Sequence, residues 1–402
     1  MSAARLLDRV RSADPVAVRF AVFYAALYVG FGAYLPYMPV WYEARGLSPE
    51  LIGLAGAAAM AGRVVIAPLG AIWSDRAARR RDAIQAFTLA ALAIYVLHVP
   101  ASSPWAIIVL AFLAGASMHA ITPLVDAFAM GQARKRGFEF GRPRAVGSAA
   151  FILGNLAGGA LIGNYGGEAA LAWVLAGAAC AAVAGVILPP GRRVSEPEPE
   201  APAEAEVKPS RFAVLAPLAA AGLPLAFMAS ALIQSAHGFY YAFSAIAWRN
   251  DGVPSSVVGL LWSTGVACEI VFLAGAGRLL RGWSPAGLMM LGGAASVLRW
   301  GAYALSPPVW LLFPLQALHA LTFAATYLGF LRYVHDAAPE RLTATAQGIN
   351  SALSGGVFLA LASFVSGLAY AAFGAAGFAV MAIPAGLGLA CAIALILRRG
   401  VA

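Results

Sequence analysis

The chain has 402 residues, of which 61% are hydrophobic and 11% are charged, and its formal net charge is +9. A soluble globular domain carries roughly 25% charged residues, so this composition excludes an ordinary soluble enzyme and indicates that lipid surrounds most of the chain. The basic residues are scattered over many short segments instead of forming one patch, which argues against a nucleic-acid partner.

Apolar stretches of about 20 residues, long enough to cross a bilayer, recur along the whole chain. We predict twelve transmembrane helices, at approximately residues 17–41, 51–73, 83–100, 104–131, 144–164, 169–189, 212–247, 256–280, 284–305, 309–334, 343–370 and 373–397. When both termini are placed in the cytoplasm, most of the 27 Lys and Arg residues lie in cytoplasmic segments, and Arg45 and Arg249 are those left in external loops. This asymmetry predicts a multi-pass protein of the inner (plasma) membrane with both ends inside.

Two segments of the chain resemble each other at a constant offset. Gly46, Leu47 and Gly53 in the first correspond to Gly252, Val253 and Gly259 in the second. The same offset places the intramembrane Arg63 opposite Glu269. In a membrane protein, such a duplication predicts a transporter with its site between two repeats.

Residues 191–210 interrupt the apolar pattern with a run rich in Pro and Glu. A segment of this composition cannot bury apolar surface, so we predict a disordered cytoplasmic linker. It divides the chain into an N-terminal six-helix bundle, 1–190, and a C-terminal six-helix bundle, 211–402. The predicted fold class is therefore an all-α integral membrane protein of the major facilitator architecture.

The loop between predicted spans 2 and 3 supports this architecture. It reads Gly70-Ala-Ile-Trp-Ser-Asp-Arg-Ala-Ala-Arg-Arg-Arg81 and resembles the superfamily motif Gly-x-x-x-Asp-Arg-x-Gly-Arg-Arg, with Ala71 and Ala78 in place of the two Gly residues. The motif predicts a conformational latch on the cytoplasmic side, formed by Asp75, Arg76, Arg79 and Arg80. The alternative is a basic cluster that only sets topology.

The first half carries an acidic and a basic group inside spans, where ionisable residues are expensive and usually functional. In span 4, His119, Thr122 and Asp126 share one helical face. One face of span 5 carries Arg144, Ser148, Phe151 and Asn155. We predict that Asp126 and Arg144 pair and bind substrate, with Phe151 and Asn155 beside them; the alternative is a structural pair that joins the two spans.

The second half carries three ionisable residues on successive spans: Glu269 in span 8, Arg299 in span 9 and His319 in span 10. A buried carboxylate near a His and an Arg is suited to change its protonation with conformation. We predict that these residues couple transport to protons. The alternative for His319, considered alone, is an ordinary core histidine.

Aromatic residues form stripes on two further spans that are equivalent in the two repeats. Span 1 carries Tyr24 and Tyr28, and span 7 carries Tyr240 and Tyr241 with His237 before them. Trp262 lies on the same face of span 8 as Glu269. We predict that these side chains contact substrate, although such stripes often serve helix packing alone.

The stretches around these residues are similar to a known family. Pro123-Leu-Val-Asp126 followed by Phe138-Glu-Phe-Gly-Arg-Pro-Arg144 resembles the lactose permease and oligosaccharide:proton symporter group, and the phenylpropionate permease branch more closely. In that branch Tyr240-Tyr241 to Trp248, Arg299-Trp300-Gly301 and Leu318-His319 also match.

The resemblance implies roles for the matching residues. The acidic residue at Asp126 and the arginine at Arg144 bind sugar in the lactose permease, and an aromatic at the position of Phe151 stacks on it. Glu269, Arg299 and His319 match positions that link substrate binding to proton coupling. The family's second carboxylate is replaced by Thr322, so the proton carrier would have to be Glu269 or Asp126.

The prediction from the sequence is a monomeric, proton-coupled symporter that imports a small organic acid with an aromatic body and works by alternating access. Its partners are the substrate, protons and the bilayer, and no cofactor or metal is expected. A sugar or nucleoside symporter and an exporter of apolar compounds are the alternatives. An enzyme is not expected, since no His-Glu-x-x-His or Gly-x-Ser-x-Gly motif is present.

Overall fold

The computed structural model describes residues 14–191, 216–219 and 222–399, and within these ranges the chain is helical with no β-strand. The helices of the first half are α1 (Pro15–Ala44), α2 (Pro49–Arg76), α3 (Arg80–His98), α4 (Pro104–Arg136), α5 (Gly141–Tyr165) and α6 (Glu168–Ile187). The predicted linker lies outside the described residues apart from Gly191.

The second half contains more, shorter elements. Its helices are α7 (Leu223–Ser235), α8 (Gly238–Asn250), α9 (Ser255–Leu279), α10 (Pro285–Tyr303), α11 (Val309–Ala317), α12 (Thr326–Ala337), α13 (Thr343–Ala352), α14 (Phe358–Phe373) and α15 (Ala382–Arg399). Predicted span 7 is divided between α7 and α8 at Ala236–His237. A π-helical segment, Ala320–Ala325, joins α11 to α12, and another, Leu353–Val357, joins α13 to α14.

Eight helical stretches within the described ranges are long and apolar enough to cross a membrane. They are Pro15–Ala44, Pro49–Ile66, Pro104–Arg136, Gly141–Tyr165, Glu168–Ile187, Ser255–Leu279, Val309–Ala337 and Glu340–Arg398. The last is 59 residues long, which exceeds the roughly 20 residues of one span. The α7–α8 pair falls short because each helix has only 13 residues.

Contacts between helices divide the chain into two compact units. The first contains Met1–Gly46, Ala61–Arg193 and Ser255–Leu260, and the second contains Leu47–Met60, Val194–Pro254 and Leu261–Ala402. The units follow the predicted halves except that the start of α2 and the start of α9 are exchanged. The two exchanged segments contain Gly53 and Gly259, which the sequence repeat had aligned.

Both of these glycines lie where another backbone approaches closely inside its own unit. A Cβ on Gly53 would lie 2.7 Å from the Cα of Gly367, and one on Gly259 would lie 2.5 Å from the carbonyl oxygen of Asn155. Any larger residue would separate the helices, so both positions require Gly.

In the first unit, glycine contacts fix α1 against its neighbours and thereby position the candidate site. A Cβ on Gly32 would collide with the carbonyl oxygen of Phe151, and one on Gly154 would collide with that of Val29. Gly30 and Gly177 bring α1 equally close to α6. These contacts lay the predicted face of α5 along the aromatic face of α1.

The loop between α2 and α3 is attached to the end of α6. The backbone N–H of Arg80 donates to the carbonyl oxygen of Gly191 at 3.2 Å. The guanidinium of Arg81 donates to the carbonyl oxygens of Val186 and Leu188, at 3.1 and 3.3 Å. Arg81, in the first turn of α3, thus satisfies carbonyl groups at the carboxyl end of α6.

The predicted latch residues lie at the end of α2, in the loop that follows it and at the first residue of α3. Arg76, Arg79 and Arg80 are exposed, and the side chain of Asp75 lies outside the part of the chain that the structure describes.

Candidate functional site

The structure brings Asp126 of α4 and Arg144 of α5 together, as predicted. The Arg144 Nε lies 3.7 Å from the Asp126 Oδ1, and the two side chains are 31% and 27% exposed. The Tyr24 hydroxyl donates to the same Oδ1 at 2.6 Å. Because the ion pair is long and partly exposed, the guanidinium retains donors for a ligand.

Arg144 lies against the aromatic face of α1. Its guanidinium carbon is 4.4 Å from the ring centroid of Tyr28 and 5.7 Å from that of Tyr24. Stacking of this kind holds a guanidinium in one plane while its edge remains available for a carboxylate. Tyr28 also lies beside Thr122 of α4.

Phe151 and Asn155 lie farther along α5, about 10 and 16 Å along the helix axis from Arg144. Asn155 is completely buried, and its Nδ2 donates to the Phe151 carbonyl oxygen at 3.0 Å. The backbone carbonyl oxygen of Asn155 accepts from the Tyr37 hydroxyl at 3.2 Å. The structure therefore places Asn155 in the packing between α1 and α5 and does not bring it to Arg144.

The second unit contains a buried polar network around Arg299 of α10, whose side chain is 0% exposed. The guanidinium donates to the Tyr303 hydroxyl at 3.4 Å, and to His319 Nδ1 and Thr322 Oγ1 at 3.2 Å each. It also donates to Gln316 Oε1, and the Gln316 amide donates to the Tyr240 hydroxyl at 3.1 Å. A buried guanidinium is tolerated only when its donors are matched in this way.

Glu269 of α9 joins the network through His319. The Glu269 Oε2 lies 3.5 Å from His319 Nε2, and the carboxylate side chain is 22% exposed. Since Arg299 donates to Nδ1, the proton of a neutral imidazole belongs on Nε2, facing the carboxylate. His319 thereby connects a buried cation, Arg299, to a partly accessible anion, Glu269. These are the three residues that were grouped from the sequence.

His237 lies deeper in the same network and is completely buried. Its Nδ1 lies 2.9 Å from the Gln234 carbonyl oxygen, which requires the proton on Nδ1, and its Nε2 accepts from Thr322 Oγ1 at 3.0 Å. Thr322 can then donate to His237 while it accepts from Arg299. The residue that replaces the family's second carboxylate is therefore the junction of the network.

The predicted aromatic residues of the second half pack around this network. Tyr240 stacks on Trp262 with ring centroids 4.3 Å apart, and Trp262 donates to Ser244 Oγ at 3.2 Å. Tyr241 stacks on His237 at 5.7 Å. Tyr241 is partly exposed, whereas Tyr240 and Trp262 are 2% exposed and pack against the network.

Three further residues of this network, Gln316, Thr322 and Tyr303, are not among the site residues predicted from the sequence. Their signals were present but weak: Gln316 precedes His319 by one helical turn, and Tyr303 follows Arg299 by one turn. The role of these neutral polar residues, which is to hydrogen-bond with Arg299, becomes apparent only when α8, α10 and the π-helical segment are brought together. In the described part of the chain, no group of three His, Cys, Asp or Glu side chains could hold a metal ion.

Comparison with known proteins places these features in context. The family model described as "MFS_1 like family" matches residues 17–380. A probable 3-phenylpropionic acid transporter of Escherichia coli (strain K12) is 28% identical over 366 residues, which is 91% of this chain and 94% of that protein. A maltose permease of Geobacillus stearothermophilus is 26% identical over 350 residues, 87% of this chain and 86% of that protein.

Solved structures share the fold. The nucleoside transporter NupG aligns with a TM-score of 0.77 at 15% identity and covers 96% of this chain and 99% of its own. A bacterial homologue of the human lysosomal transporter Spinster, in an inward-facing and unoccupied conformation, aligns with a TM-score of 0.68 at 16% identity, over 96% of each chain. At these identities the similarity establishes the fold alone.

Proposed function

Because the chain belongs to the MFS_1-like family of membrane transporters, we propose that it is a proton-coupled symporter that imports a small aromatic carboxylic acid across the inner membrane. The observation that carries this proposal is Arg144, a partly exposed guanidinium that lies over tyrosine rings and is only loosely paired with Asp126. The proposed topology has twelve transmembrane helices with both termini in the cytoplasm, and the protein acts as a monomer.

The chemistry of the Arg144 site suits an aryl acid. A planar carboxylate matches the guanidinium fork with two parallel hydrogen bonds. Phe31, the partly exposed ring next to Tyr28 on α1, offers a surface on which an aromatic body can pack. The similarity to a protein named as a probable 3-phenylpropionic acid transporter supports the same substrate class.

Asp126 can couple the binding of the substrate to the binding of a proton. The carboxylate of Asp126 and that of the substrate would compete for one guanidinium, and two carboxylates close together repel. A proton on Asp126 would remove that repulsion, so acid and proton would bind together. Glu269 is the other candidate carrier, because it is partly exposed and contacts His319, which contacts the buried Arg299.

The test is uptake of radiolabelled phenylpropionate into proteoliposomes with an imposed pH gradient. Accumulation that follows the size of the gradient and collapses with a protonophore supports the symporter. Accumulation that ignores the gradient would refute proton coupling, and saturable binding of maltose or nucleosides without binding of aryl acids would refute the substrate class.

Two variants identify the carrier. Glu269→Gln or Asp126→Asn, whichever removes the carrier, should abolish uphill accumulation while exchange of labelled for unlabelled substrate continues. Glu139→Gln is the matched control, because the Glu139 side chain is 73% exposed and pairs with the exposed Arg142. If both carboxylate variants still concentrate substrate, neither residue carries the proton.

The second candidate function is a sugar or nucleoside symporter. The Asp126 carboxylate already accepts a hydrogen bond from a hydroxyl, that of Tyr24, and a sugar hydroxyl would make the same contact. A binding screen of sugars and nucleosides against aryl acids separates the two. Export of apolar compounds, the third alternative, is distinguished by the direction of transport in vesicles of known orientation.

The segment with Asp75, Arg76, Arg79 and Arg80 is proposed to act as a conformational latch. The attachment of this loop to α6 through Arg80 and Arg81 supports the idea, because it holds the exposed arginines at a fixed place. Replacing Arg79 by Gln should change the transport rate with little effect on substrate affinity, whereas equal changes in both would argue against a latch.

A further inference from the structure

His119 on α4 has a buried nitrogen that the protein does not satisfy. Its Nε2 is buried without a hydrogen-bond partner among the described residues, although the side chain as a whole is partly exposed. A buried polar atom without a partner costs about 1–3 kcal/mol, so such an atom beside a binding surface calls for an explanation.

His119 lies at the end of an ordered surface that begins at Arg144. The aromatic residues Tyr24, Tyr28, Phe31 and Tyr34 of α1 form this surface, which we call the aryl wall. Phe31 is partly exposed, whereas Tyr24, Tyr28 and Tyr34 are 0%, 9% and 7% exposed. Tyr24 meets Asp126, and Tyr28 meets Thr122. Phe31 and Tyr34 meet the imidazole edge to face, with ring centroids 5.6 and 6.4 Å from it.

The register of these contacts fixes the length of the aryl wall. Helices α1 and α4 run antiparallel, since the contacts advance along α1 as they retreat along α4. From Asp126 back to His119 the axis of α4 spans about 10 Å. An extended arylpropionate that carries an oxygen at the para position has a comparable length between its carboxylate and that oxygen.

Arg63 of α2 lies near this end of the wall. It interacts electrostatically with His119, and α2 is held against α4 because a Cβ on Gly62 would collide with the carbonyl oxygen of Phe112. A polar ligand atom placed here would meet an imidazole nitrogen and a nearby cation at the far end of an otherwise aromatic surface.

We infer that His119 is a specificity-determining residue and that the preferred substrate is an aryl acid with a hydroxyl at the end of the ring opposite its carboxylate. A phenolic hydroxyl both donates and accepts a hydrogen bond, so it fits an imidazole in either tautomer. A second carboxylate fits less well, because it brings another charge to be desolvated within the membrane. The inference rests on the proposed function, with the substrate carboxylate on Arg144.

The test is isothermal titration of the purified protein with phenylpropionate, para-hydroxyphenylpropionate and para-methylphenylpropionate. One new buried hydrogen bond should make the para-hydroxy acid bind about five- to ten-fold more tightly than phenylpropionate. The para-methyl acid, which fills the same space without a hydrogen bond, should not share this gain. Equal affinity for the hydroxy and methyl acids would overturn the inference without any variant.

His119→Phe should abolish the preference and leave the affinity for phenylpropionate within about two-fold, while His119→Gln should keep part of it. His98→Phe is the matched control. Its Nε2 is also buried without a partner within the described ranges, but its ring packs against Trp41 and Tyr95, and Tyr95 in turn lies 6.2 Å from Tyr34 of the aryl wall. A preference that survives in His119→Phe, or that disappears equally in His98→Phe, would overturn the inference.

The outcomes separate the two proposals. If phenylpropionate binds and para-hydroxylation gains nothing, the role of His119 is wrong and the proposed substrate class stands. If no aryl acid binds to the wild-type protein, the proposed function fails and the inference fails with it.

Discussion

Replacement of Thr322 by Val tests whether the Arg299 network holds the second unit together. Val has nearly the same shape as Thr, so the substitution removes the hydroxyl and little else. The hydroxyl contacts His237 Nε2 at 3.0 Å, the Arg299 guanidinium at 3.2 Å and the backbone carbonyl oxygen of His319 at 3.3 Å, and the substitution removes all of these contacts. All three side chains are buried, so water cannot replace the hydroxyl.

The size of the effect follows from what remains unpaired. His237 Nε2 loses its partner, at a cost of about 1–3 kcal/mol, whereas the Arg299 donor keeps His319 Nδ1 and loses less. The sum is about 2–3 kcal/mol. In a domain of ~200 residues each kcal/mol shifts the melting temperature by about 2–4 °C, so we expect Thr322→Val to melt about 4–12 °C below the wild type.

Thr326, one turn farther along the chain, supplies the control. It is also completely buried, but its hydroxyl has no hydrogen-bond partner among the described residues. Thr326→Val should therefore be neutral or stabilising by about 1 kcal/mol. The assay is thermal unfolding in one detergent at one scan rate, followed by intrinsic fluorescence. Equal melting temperatures for wild type and Thr322→Val, or equal losses in both variants, would refute the reasoning.

Three further predictions follow from other contacts. Gly154→Ala should lower the melting temperature and weaken acid binding, because its Cβ would collide with the carbonyl oxygen of Val29; Gly131→Ala, where nothing lies within 4 Å, should be neutral or slightly stabilising in the same melting assay. Arg144→Lys should weaken aryl-acid binding at least about ten-fold in titration calorimetry, since an ammonium cannot form the paired hydrogen bonds or stack on the tyrosines; retained affinity would contradict a guanidinium-specific site. Arg81→Ala should destabilise the protein by about 1–2 kcal/mol through the loss of its two carbonyl contacts, and an unchanged melting temperature would show that water replaces them.

Several parts of the site were predictable because local spacing determines which residues share a helical face. The pairing of Asp126 with Arg144 and the grouping of Glu269, Arg299 and His319 needed only the helical period and the rule that intramembrane charges find partners. Both groupings are present in the structure.

Other predictions depended on which neighbours a face meets, and spacing does not contain that information. Asn155 shares a face with Arg144 in the sequence, yet the close contact of α5 with α1 buries it and turns its side chain to its own helix. His237 was grouped with the substrate residues because it precedes two tyrosines, and the structure places it inside the Arg299 network.

The sequence by itself determined the membrane class, the family resemblance and the pairs of opposite charge, because composition and helical period are properties of the chain alone. Only the tertiary structure decided the role of Thr322 and His119, since a hydroxyl or an imidazole acquires its function from the donors and acceptors that other helices bring to it. In the sequence, Thr322 was notable because it replaces the family's second carboxylate. In the structure it joins Arg299 to His237, while His119, equally polar, keeps an unpaired nitrogen at the end of the aryl wall.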